Sequence, residues 1–472
     1  MNSQRLPGLT DALHQAEQRA RRTGQPVLAI FSQPCERLDP LRLFAASRQM
    51  LGQSLLWHTD KGAMSLVGFG CTEEISPPAT ERFSDSAGQW QQLLSQAEIV
   101  GPCQPLLCGG FAFDPQVSRS AKWQSFSATS LVLPRLLVQR DSEQQHVLFS
   151  QWMEPGADAR RRAQSLEAEW KMVLARYAHS PWFSAPAGTA SHEDIIDPQV
   201  WQDGVAAAVR RISEGAMHKV VLAREVRLRT PRNIPCGPLL ENLREAYPSA
   251  CLFAFSRGDS CFLGASPERL VRVARGNLST VALAGTCPRG SHEQQDAEWG
   301  QQLLNSDKDR HEHALVVQTL RDSLQPYCAV LEIPAQPHLH RLAHVQHLLT
   351  PVLGRLRPGV DVLQLVQALH PTPAVGGLPR DTAMRYIREH EQLDRGWYAA
   401  PVGWLNAEGD GEFVVALRSA LLRGPEIHLF AGCGIVAESD PRSEYEETCW
   451  KLKTIGEALQ PCEVEQAGRT EA

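Results

Sequence analysis

Residues 219–285 read KVVLAREVRLRTPRNIPCGPLLENLREAYPSACLFAFSRGDSCFLGASPERLVRVARGNLSTVALAG, and this stretch decides the fold class. Short runs rich in Val, Leu, Phe and Ala follow one another with Gly, Pro, Asn and Asp between them, which predicts successive strands. The runs are KVVLAREVRL, CLFAFSR, CFLGAS, RLVRVAR and LSTVALAG. Such succession favours an α+β fold with extensive antiparallel sheet over regular βαβ alternation.

The remainder of the chain extends this pattern. Residues 1–183 mix strand-like segments such as PVLAIFS and HVLFSQW with helix-like ones. Beyond residue 195 the periodicity predicts a helix at 198–215, a long helix across about 294–325 and a final helix over about 441–459. Between the two parts, SPWFSAPAGTASHEDI at 180–195 is rich in Pro, Ala, Gly and Ser and predicts a connector.

Composition limits the function classes. The chain has 472 residues, 43% of them apolar and 21% charged, with a formal net charge of -6. It therefore lacks the basic character expected of a nucleic-acid-binding or membrane-surface protein. No signal-peptide core or membrane-spanning run is found, so we expect a cytoplasmic protein. The 12 cysteines contain no CxxC pair and are expected to be reduced, buried side chains.

Two glutamates near the C-terminus predict a cation site. In SDPRSEYEETCWKLK, Asp440 is suited to cap a helix and Pro441 to begin it. Glu444 and Glu447 are three residues apart and should share a face of that helix. Convergent carboxylates suit a hard cation such as Mg²⁺. The alternative is a solvated acidic first turn, which the helix dipole would favour.

Glu312 is a candidate third ligand, within DKDRHEHALVVQTL. It precedes Val316 by four residues and Leu320 by eight, which places it on the apolar face of the predicted helix, where it should be buried and partnered. The alternative is a surface glutamate whose register is misjudged by one residue. His311 and His313 are two apart and should point to different sides, which excludes an HExxH zinc motif.

Lys219 and Glu268 are candidates for proton transfer. Lys219 begins a predicted strand, where a lysine usually points to solvent. If its side chain instead faces a closed pocket, desolvation would favour the neutral form, which can act as a base. Glu268 follows a small-residue turn in GASPERL. It is either a salt-bridged loop residue or a general acid with a raised pKa, opposite Lys219 across a cleft.

Two glycine-rich turns and a histidine cluster are further candidates for binding sites. LAGTCPRG, residues 283–290, has backbone N–H groups that could bind a carboxylate. Residues 432–437 fit GxGxxA, but no βαβ unit can be completed so near the C-terminus, which excludes dinucleotide binding. The histidines of residues 338–347 lack the spacing of a zinc motif.

Taken together, the motifs resemble the chorismate-utilising enzymes, the family of anthranilate, aminodeoxychorismate, salicylate and isochorismate synthases. The resemblance covers about residues 195–460. It rests on KVVLAR, GASPERL, LAGTCPRG, DRHEHALVV, HLLTP, HPTPAVGG, WYAAPVGW, ALRSAL, AGCGIVAESDP and EYEETCWK. It implies a large two-sheet antiparallel β sandwich with helices packed outside, and chorismate in a deep cleft. The implied organisation is an N-terminal β-rich subdomain at 1–190, a chorismate-binding catalytic domain at 191–462 and a flexible tail at 463–472.

The resemblance also implies roles for single residues. Lys219 and Glu268 would be the catalytic base and acid. Mg²⁺ would be held by Glu312, Glu444 and Glu447, with Glu444 reaching the ion through bound water. The implied substrate-binding residues are Gly285, Thr286, His347, Ala374, Tyr398, Arg418, Gly432, Gly434 and Lys451.

Two departures from related activities point to isochorismate as the product. Anthranilate synthases typically carry Gln at the position of Lys219, and aminodeoxychorismate synthases carry a nucleophilic Lys where this chain has Ala284. The resemblance thus implies Mg²⁺-dependent water addition at C2 of chorismate with loss of the C4 hydroxyl, for menaquinone or siderophore biosynthesis. A salicylate synthase is the main alternative, and a non-catalytic regulator is a second. A monomer is expected.

Overall fold

The computed structural model describes residues 6–48, 50–59, 64–78, 81–141, 144–179, 191–341 and 345–458. The helices of this part of the chain are α1 (Leu9–Thr23), α2 (Pro40–Ser47), α3 (Arg82–Ser95), α4 (Ala159–His179), α5 (Pro198–Ser213), α6 (Cys236–Ala246), α7 (Glu293–Asn305), α8 (Asp307–Leu324), α9 (Val362–Leu369), α10 (Arg380–His390) and α11 (Pro441–Ala458).

The strands before residue 190 are β1 (Val27–Pro34), β2 (Gln53–Thr59), β3 (Met64–Phe69), β4 (Glu73–Ile75), β5 (Ala97–Val100), β6 (Leu106–Phe111), β7 (Thr129–Leu133), β8 (Leu136–Arg140) and β9 (Gln145–Met153). Those that follow are β10 (Ser191–Asp194), β11 (Lys219–Arg229), β12 (Cys251–Arg257), β13 (Ser260–Ser266), β14 (Arg269–Ala274), β15 (Asn277–Pro288), β16 (Cys328–Glu332), β17 (His338–Arg341), β18 (Val345–Leu356), β19 (Gly377–Leu378), β20 (Pro401–Asn406), β21 (Gly411–Val415), β22 (Ser419–Arg423) and β23 (Glu426–Ile435).

These strands form two sheets. The large sheet has the order β10-β11-β23-β22-β13-β12-β2-β3-β8-β9-β1-β5, with β19 added to β11. The small sheet has the order β16-β18-β15-β14-β21-β20-β6-β7-β4, with β17 added to β18. The β1–β5 pair is parallel, whereas the other described pairs are antiparallel. The predicted α+β class is confirmed.

Both sheets combine strands from the two parts of the chain. Strand β2 pairs with β12 in the large sheet, and β6 pairs with β20 in the small one. The N-terminal strands are therefore hydrogen-bonded into the same sheets as the strands that carry the predicted site. The boundaries predicted at residues 190 and 462 remain a prediction.

Aromatic side chains fill the space between the sheets. Trp397, just before β20, packs against Phe126, Phe255 and Phe262, with ring centroids 5.2, 5.4 and 6.3 Å away. Phe255 and Phe262 belong to the large sheet, so Trp397 joins the two layers. Helices α1, α2, α4 and α6 cover the outer face of the large sheet in a second apolar cluster. This is the expected sandwich with helices outside.

Tight turns fold residues 251–288 as two hairpins, β12–β13 in the large sheet and β14–β15 in the small sheet. Strands β12 and β13 pair from Arg257↔Ser260 onward, leaving a two-residue loop in which Gly258 has φ 55°. Strands β14 and β15 are joined by Arg275 and Gly276, both with positive φ. Two-residue loops with left-handed residues match the twist of antiparallel strands. They set the direction of β14 and β15, which flank the predicted site.

The predicted helix across 294–325 is wrong as a single element. The chain breaks at Ser306, whose backbone is extended and whose hydroxyl accepts a hydrogen bond from the N–H of Asp309 at 3.3 Å. A serine that caps a helix in this way begins a new one, so α7 and α8 are separate.

The predicted connector at 180–195 is only partly testable. Its second half, Ser191–Asp194, is an edge strand paired with Val226–Arg229 of β11, because an extended segment can satisfy its backbone groups on an open sheet edge. Residues 180–190 and the predicted tail at 463–472 lie outside the described residues.

Two absences concern the described residues alone. No disulfide joins their 11 cysteines, most of which are buried or half-buried. None of their helices has the length and apolar character needed to cross a membrane.

Candidate active site

Lys219 starts β11 and is half-buried. Its side chain lies along Gly434 of β23: a Cβ added to Gly434 would be 2.6 Å from Cε of Lys219 and 3.2 Å from Nζ. The glycine therefore leaves the space that the lysine occupies. The Lys219 side chain thus packs along β23, and its role as a base in a closed pocket remains a prediction.

Glu268 lies between β13 and β14, and its carboxyl group is desolvated although the residue as a whole is half-buried. Desolvation raises its pKa to about 7, against smaller opposing effects of a Thr372 hydrogen bond and the positive charge of Lys219. The Thr372 hydroxyl donates to Oε1 at 3.4 Å. The neighbouring Arg269 pairs with Glu412, so the salt-bridged-loop alternative does not describe Glu268. A carboxyl group with this pKa can hold a proton near neutral pH.

A turn at 370–378 connects the lysine to the carboxyl group. Leu378 pairs with Lys219, and the N–H of Val221 donates to the carbonyl of Gly376 at 2.9 Å. The turn also carries Thr372, which contacts Glu268. Ala374, predicted to line the substrate, is exposed on this turn. The structure thus brings three predicted residues, Lys219, Glu268 and Ala374, to one region.

Helix α11 begins as predicted. Pro441 is its first residue, and the Asp440 carboxylate accepts the N–H of Ser443 at 2.9 Å. Glu444 is half-buried and accepts the hydroxyl of Ser439 at 2.6 Å. Glu444 is therefore partly enclosed, whereas the Glu447 side chain is 53% exposed, as the solvated alternative expects.

Glu447 and Lys451 lie one turn further along α11. Nζ of Lys451 lies 2.6 Å from Oε1 of Glu447 and donates to the carbonyl of Gly432 at 2.8 Å. Glu444 is also close enough to the buried Cys433 to help raise the pKa of that thiol, although desolvation is the larger cause. These contacts place one face of α11 over residues 432–434. Gly432, Gly434, Lys219, Glu444, Glu447 and Lys451 are therefore neighbours.

The predicted burial of Glu312 is wrong. Glu312 is exposed on α8, whereas His313 is buried, and the ring nitrogen Nε2 of His313 lies 2.7 Å from the Thr350 hydroxyl. Successive residues of an α-helix differ by about 100°, so a register error of one residue exchanges the covered side for the open one. The prediction that His311 and His313 point to different sides is confirmed, because His311 is exposed.

Thr286 and His347, each predicted to line the substrate, contact one another. The Thr286 hydroxyl lies 2.8 Å from Nδ1 of His347, across strands β15 and β18. Burial lowers the pKa of His347, which favours the neutral imidazole. Gly285 precedes this pair at φ 75°, where the register of β15 shifts. A left-handed conformation at this position explains the glycine.

Tyr398 and Arg418 occupy the strand ends nearby. Tyr398 is buried and stacks on Phe430 with ring centroids 5.2 Å apart. Arg418 has φ 47° and places its guanidinium 4.8 Å from the ring centre of Tyr247, beyond the end of α6. No contact between Tyr398 and Arg418 is found among the described residues. Their implied role in substrate binding remains a prediction.

The predicted metal ligands have suitable oxygen donors, but the structure does not bring all three together. Glu444 and Glu447 present oxygen donors from α11 beside the large sheet, whereas Glu312 belongs to α8, which packs on the small sheet. In the described ranges no group of three or more His, Cys, Asp and Glu side chains is close enough to hold an ion. The three-carboxylate cluster is therefore not assembled here.

Two site residues escaped the sequence reasoning. Thr372 donates to Glu268, and the HPTP motif that contains it drew attention only to Ala374. Asp309 lies beside Gly285, where an added Cβ would be 3.3 Å from the aspartate Cβ. Asp309 precedes Glu312 by three residues, the same spacing as between Glu444 and Glu447. The sequence therefore contained the pattern of two carboxylates one helical turn apart here as well.

Comparison with known proteins now adds independent evidence. Residues 11–460 match the family described as "Chorismate binding enzyme". The chain belongs to this family. The match spans both sheets and includes the elements that carry Lys219, Glu268 and the three candidate metal glutamates.

Relatives within the family are similar along nearly their whole length. The salicylate biosynthesis isochorismate synthase of Pseudomonas aeruginosa is 44% identical over 457 residues, which cover 97% of this chain and 95% of that protein. Isochorismate synthase MenF of Bacillus subtilis is 34% identical, with 95% and 97% covered.

Solved structures confirm the fold of the family. MenF, the menaquinone-specific isochorismate synthase from Escherichia coli, superposes with a TM-score of 0.78 at 28% identity, covering 95% of this chain and 100% of that one. Anthranilate synthase component I from Streptococcus pneumoniae gives a TM-score of 0.69 at 23% identity, a likeness of fold alone.

Proposed function

We propose that this protein is an isochorismate synthase, an isomerase that converts chorismate to isochorismate. The observation that carries the proposal is that Lys219 and Glu268 both lie against the 370–378 turn, with the carboxyl group of Glu268 desolvated and its pKa raised to about 7. Addition of water at one ring carbon with loss of a hydroxyl from another requires a base and an acid together. The names and full-length similarity of the relatives support the same assignment.

The proposed reaction balances without an added reductant or oxidant. As the base, Lys219 removes one proton from a water molecule while the water oxygen bonds to C2 of the ring. The ring double bond shifts, the bond from C4 to its hydroxyl breaks, and Glu268 donates its proton to the departing oxygen. One water is consumed and one is released, so the product is an isomer of the substrate.

Substrate binding is assigned to the residues that the family resemblance implies. Thr286 and His347 offer a hydroxyl and a neutral imidazole from the small sheet. Gly432 and Gly434 leave space beside Lys219 on the large sheet. Lys451, together with Tyr398 and Arg418, would meet the two carboxylates of chorismate, which explains how a chain of net negative charge could bind a dianion.

Mg²⁺ is the proposed cofactor, with Glu312, Glu444 and Glu447 as the residues that would hold it. All three are carboxylates, the ligand type that Mg²⁺ prefers, and the ion usually retains several waters in place of protein ligands. Bound there, it would supply positive charge for the ring carboxylate of chorismate. This part of the proposal rests on donor chemistry, since the described residues are not assembled as a cluster.

Product identification tests the function. Incubation with chorismate and Mg²⁺, followed by chromatography, should yield isochorismate. Salicylate and pyruvate in the absence of an added lyase would instead identify a salicylate synthase. The variant Lys219→Ala should lose turnover and keep substrate binding; unchanged turnover would refute the role of Lys219 as base.

The pathway is proposed to be menaquinone biosynthesis, with siderophore biosynthesis as the alternative. Relatives of both kinds are similar to this chain: one is named for salicylate biosynthesis and others are named MenF. Deleting the gene in its host separates the two, because loss of menaquinone and loss of a salicylate or catechol siderophore are measured independently. We also expect the protein to be cytoplasmic and monomeric. Size-exclusion chromatography with light scattering tests the oligomeric state.

A further inference from the structure

A buried ion pair lies behind the predicted catalytic residues. Glu391 follows α10, and Arg395 lies four residues later; the side chain of each is 3% exposed. Nε of Arg395 donates to Oε1 of Glu391 at 2.6 Å, and Nη2 donates to Oε2 at 2.7 Å. This two-point contact fixes the plane of the guanidinium. We refer to Glu391 and Arg395 as the clamp.

The clamp also binds the backbone of two separate segments. Nη2 of Arg395 donates to the carbonyl of Val221, and Nη1 donates to the carbonyl of Val375, each at 2.8 Å. Oε2 of Glu391 accepts the N–H of Ala223 at 2.8 Å. Strand β11 and the 370–378 turn are thus held by one pair of side chains.

Both segments carry proposed catalytic groups. Val221 is two residues from Lys219 on β11. Val375 belongs to the turn in which Thr372 contacts Glu268. In addition, the carbonyl of Arg395 accepts the N–H of Tyr398 at 2.8 Å. A displacement of the clamp would therefore move the lysine, the support of the carboxyl group and the tyrosine relative to one another.

We propose that Glu391 and Arg395 are positioning residues that fix the distance between Lys219 and Glu268. The inference rests on the proposed function for the roles of those two groups. Neither clamp residue needs to touch the substrate. A buried ion pair often gives little net stability compared with apolar packing, so a geometric role is a better reason for it than stability alone.

A purely structural role is the competing explanation, and α10 supplies a matched control. Arg388 lies on α10, three residues before Glu391, and pairs with Asp114, whose side chain is 4% exposed. In the described part of the chain, Arg388 makes no hydrogen bond to β11 or to the 370–378 turn. The variant Arg388→Gln therefore weakens a neighbouring ion pair without releasing either catalytic segment.

The test compares Arg395→Lys, Glu391→Gln and Arg388→Gln with the natural protein. A lysine keeps the charge of Arg395 but lacks the planar fork that reaches Glu391 and two carbonyl groups at once. We expect kcat of Arg395→Lys and Glu391→Gln to fall by about 100-fold, the size of effect that a misplacement near 1 Å can produce. KM should change little, and Arg388→Gln should keep its kcat while its melting temperature falls.

A second readout does not depend on turnover. Trace acetylation of Lys219, quantified by mass spectrometry across pH, reports how ionisation of a nearby carboxyl group alters the reactivity of the amine. In the natural protein, the rate of Lys219 acetylation should show a step at the pH where Glu268 ionises, and Glu268→Gln should remove that step. Arg395→Lys should weaken the step in folded protein, whereas Arg388→Gln should retain it.

The outcomes separate the two proposals. A full step and full kcat in Arg395→Lys would overturn the positioning role. Absence of chorismate conversion by the natural protein would overturn the proposed function, and the labelling step would still decide whether the clamp sets the distance between the two groups.

Discussion

Glu268 shows how the position of a single side chain sets its chemistry. A glutamate in water is ionised at neutral pH, and only protein surroundings can make it a proton donor there. Desolvation does this at Glu268, while Thr372 and Lys219 limit the shift and hold the pKa near 7. The same carboxyl group therefore has two measurable consequences, one for rate and one for stability.

The first prediction concerns rate. A general acid must be protonated, so kcat/KM should fall as pH rises through about 7, the pKa of Glu268. The variant Glu268→Gln cannot donate a proton in the same way and should lose about 100-fold or more in kcat. Initial rates measured between pH 5.5 and 9 provide the test. An alkaline limb that is unchanged in Glu268→Gln would show that another group controls it.

The second prediction concerns stability. The pKa of Glu268 rises on folding from its ordinary value of 4.5 to about 7. Between these values the folded state binds more protons than the unfolded state, so this group lowers stability as pH increases through the window. Glu268→Gln should therefore unfold at a higher temperature than the natural protein at pH 8, and the difference should shrink below pH 5. Calorimetry at both pH values measures this, and a difference that grows on acidification would contradict it.

The third prediction concerns Gly434. An added Cβ would lie 2.6 Å from Cε of Lys219, so Gly434→Ala should displace the flexible lysine and reduce kcat with little loss of stability. The matched control is Gly456→Ala on α11, because no atom lies within 4 Å of an added Cβ there. Alanine in a helix interior should stabilise by about 0.5–1 kcal/mol. Equal effects of the two substitutions on kcat would refute the contact with Lys219.

At the scale of elements, the site depends on where helices begin and which face they present. Asp440 caps α11 and thereby fixes the face that carries Glu444, Glu447 and Lys451 over residues 432–434. Ser306 similarly begins α8 and determines that His313 is covered while Glu312 is open. Separate helices on separate sheets must therefore approach the same ligand for the metal proposal to hold.

The fourth prediction tests that proposal. Glu447→Gln should raise the Mg²⁺ concentration needed for half-maximal activity and weaken Mg²⁺ binding measured by calorimetry, because an amide is a weaker ligand than a carboxylate. Glu446→Gln is the control, since Glu446 is 60% exposed and pairs with Arg442 instead. Equal Mg²⁺ dependence in both variants would remove Glu447 from the ligand set, and full activity after treatment with a chelator would remove the ion.

For the whole molecule, the sequence predicted what depends on local patterns. Alternating apolar residues, short glycine turns and the Asp440-Pro441 cap were sufficient for the strand succession, the α+β class and the start of α11. The break at Ser306 was not predicted, although the hydrogen bond from the N–H of Asp309 to the Ser306 hydroxyl is local. The apolar periodicity continues across Ser306 and therefore indicated a single helix.

Long-range pairing was beyond such patterns. The clamp binds both β11 and the 370–378 turn. Its residues are more than 150 positions from β11 along the chain, and no spacing rule connects segments so far apart. Desolvation of Glu268 likewise depends on packing of distant segments. The resemblance to a family supplied the residue roles, whereas the structure supplied their neighbours.

The fifth prediction addresses the central claim directly, that water attacks C2 of chorismate while the C4 hydroxyl leaves. The natural protein should be incubated with chorismate and Mg²⁺ in water enriched in ¹⁸O, and the product analysed by mass spectrometry and NMR. We expect isochorismate with the heavy oxygen in its C2 hydroxyl. Isochorismate without the label, or a product that has lost pyruvate, would contradict it.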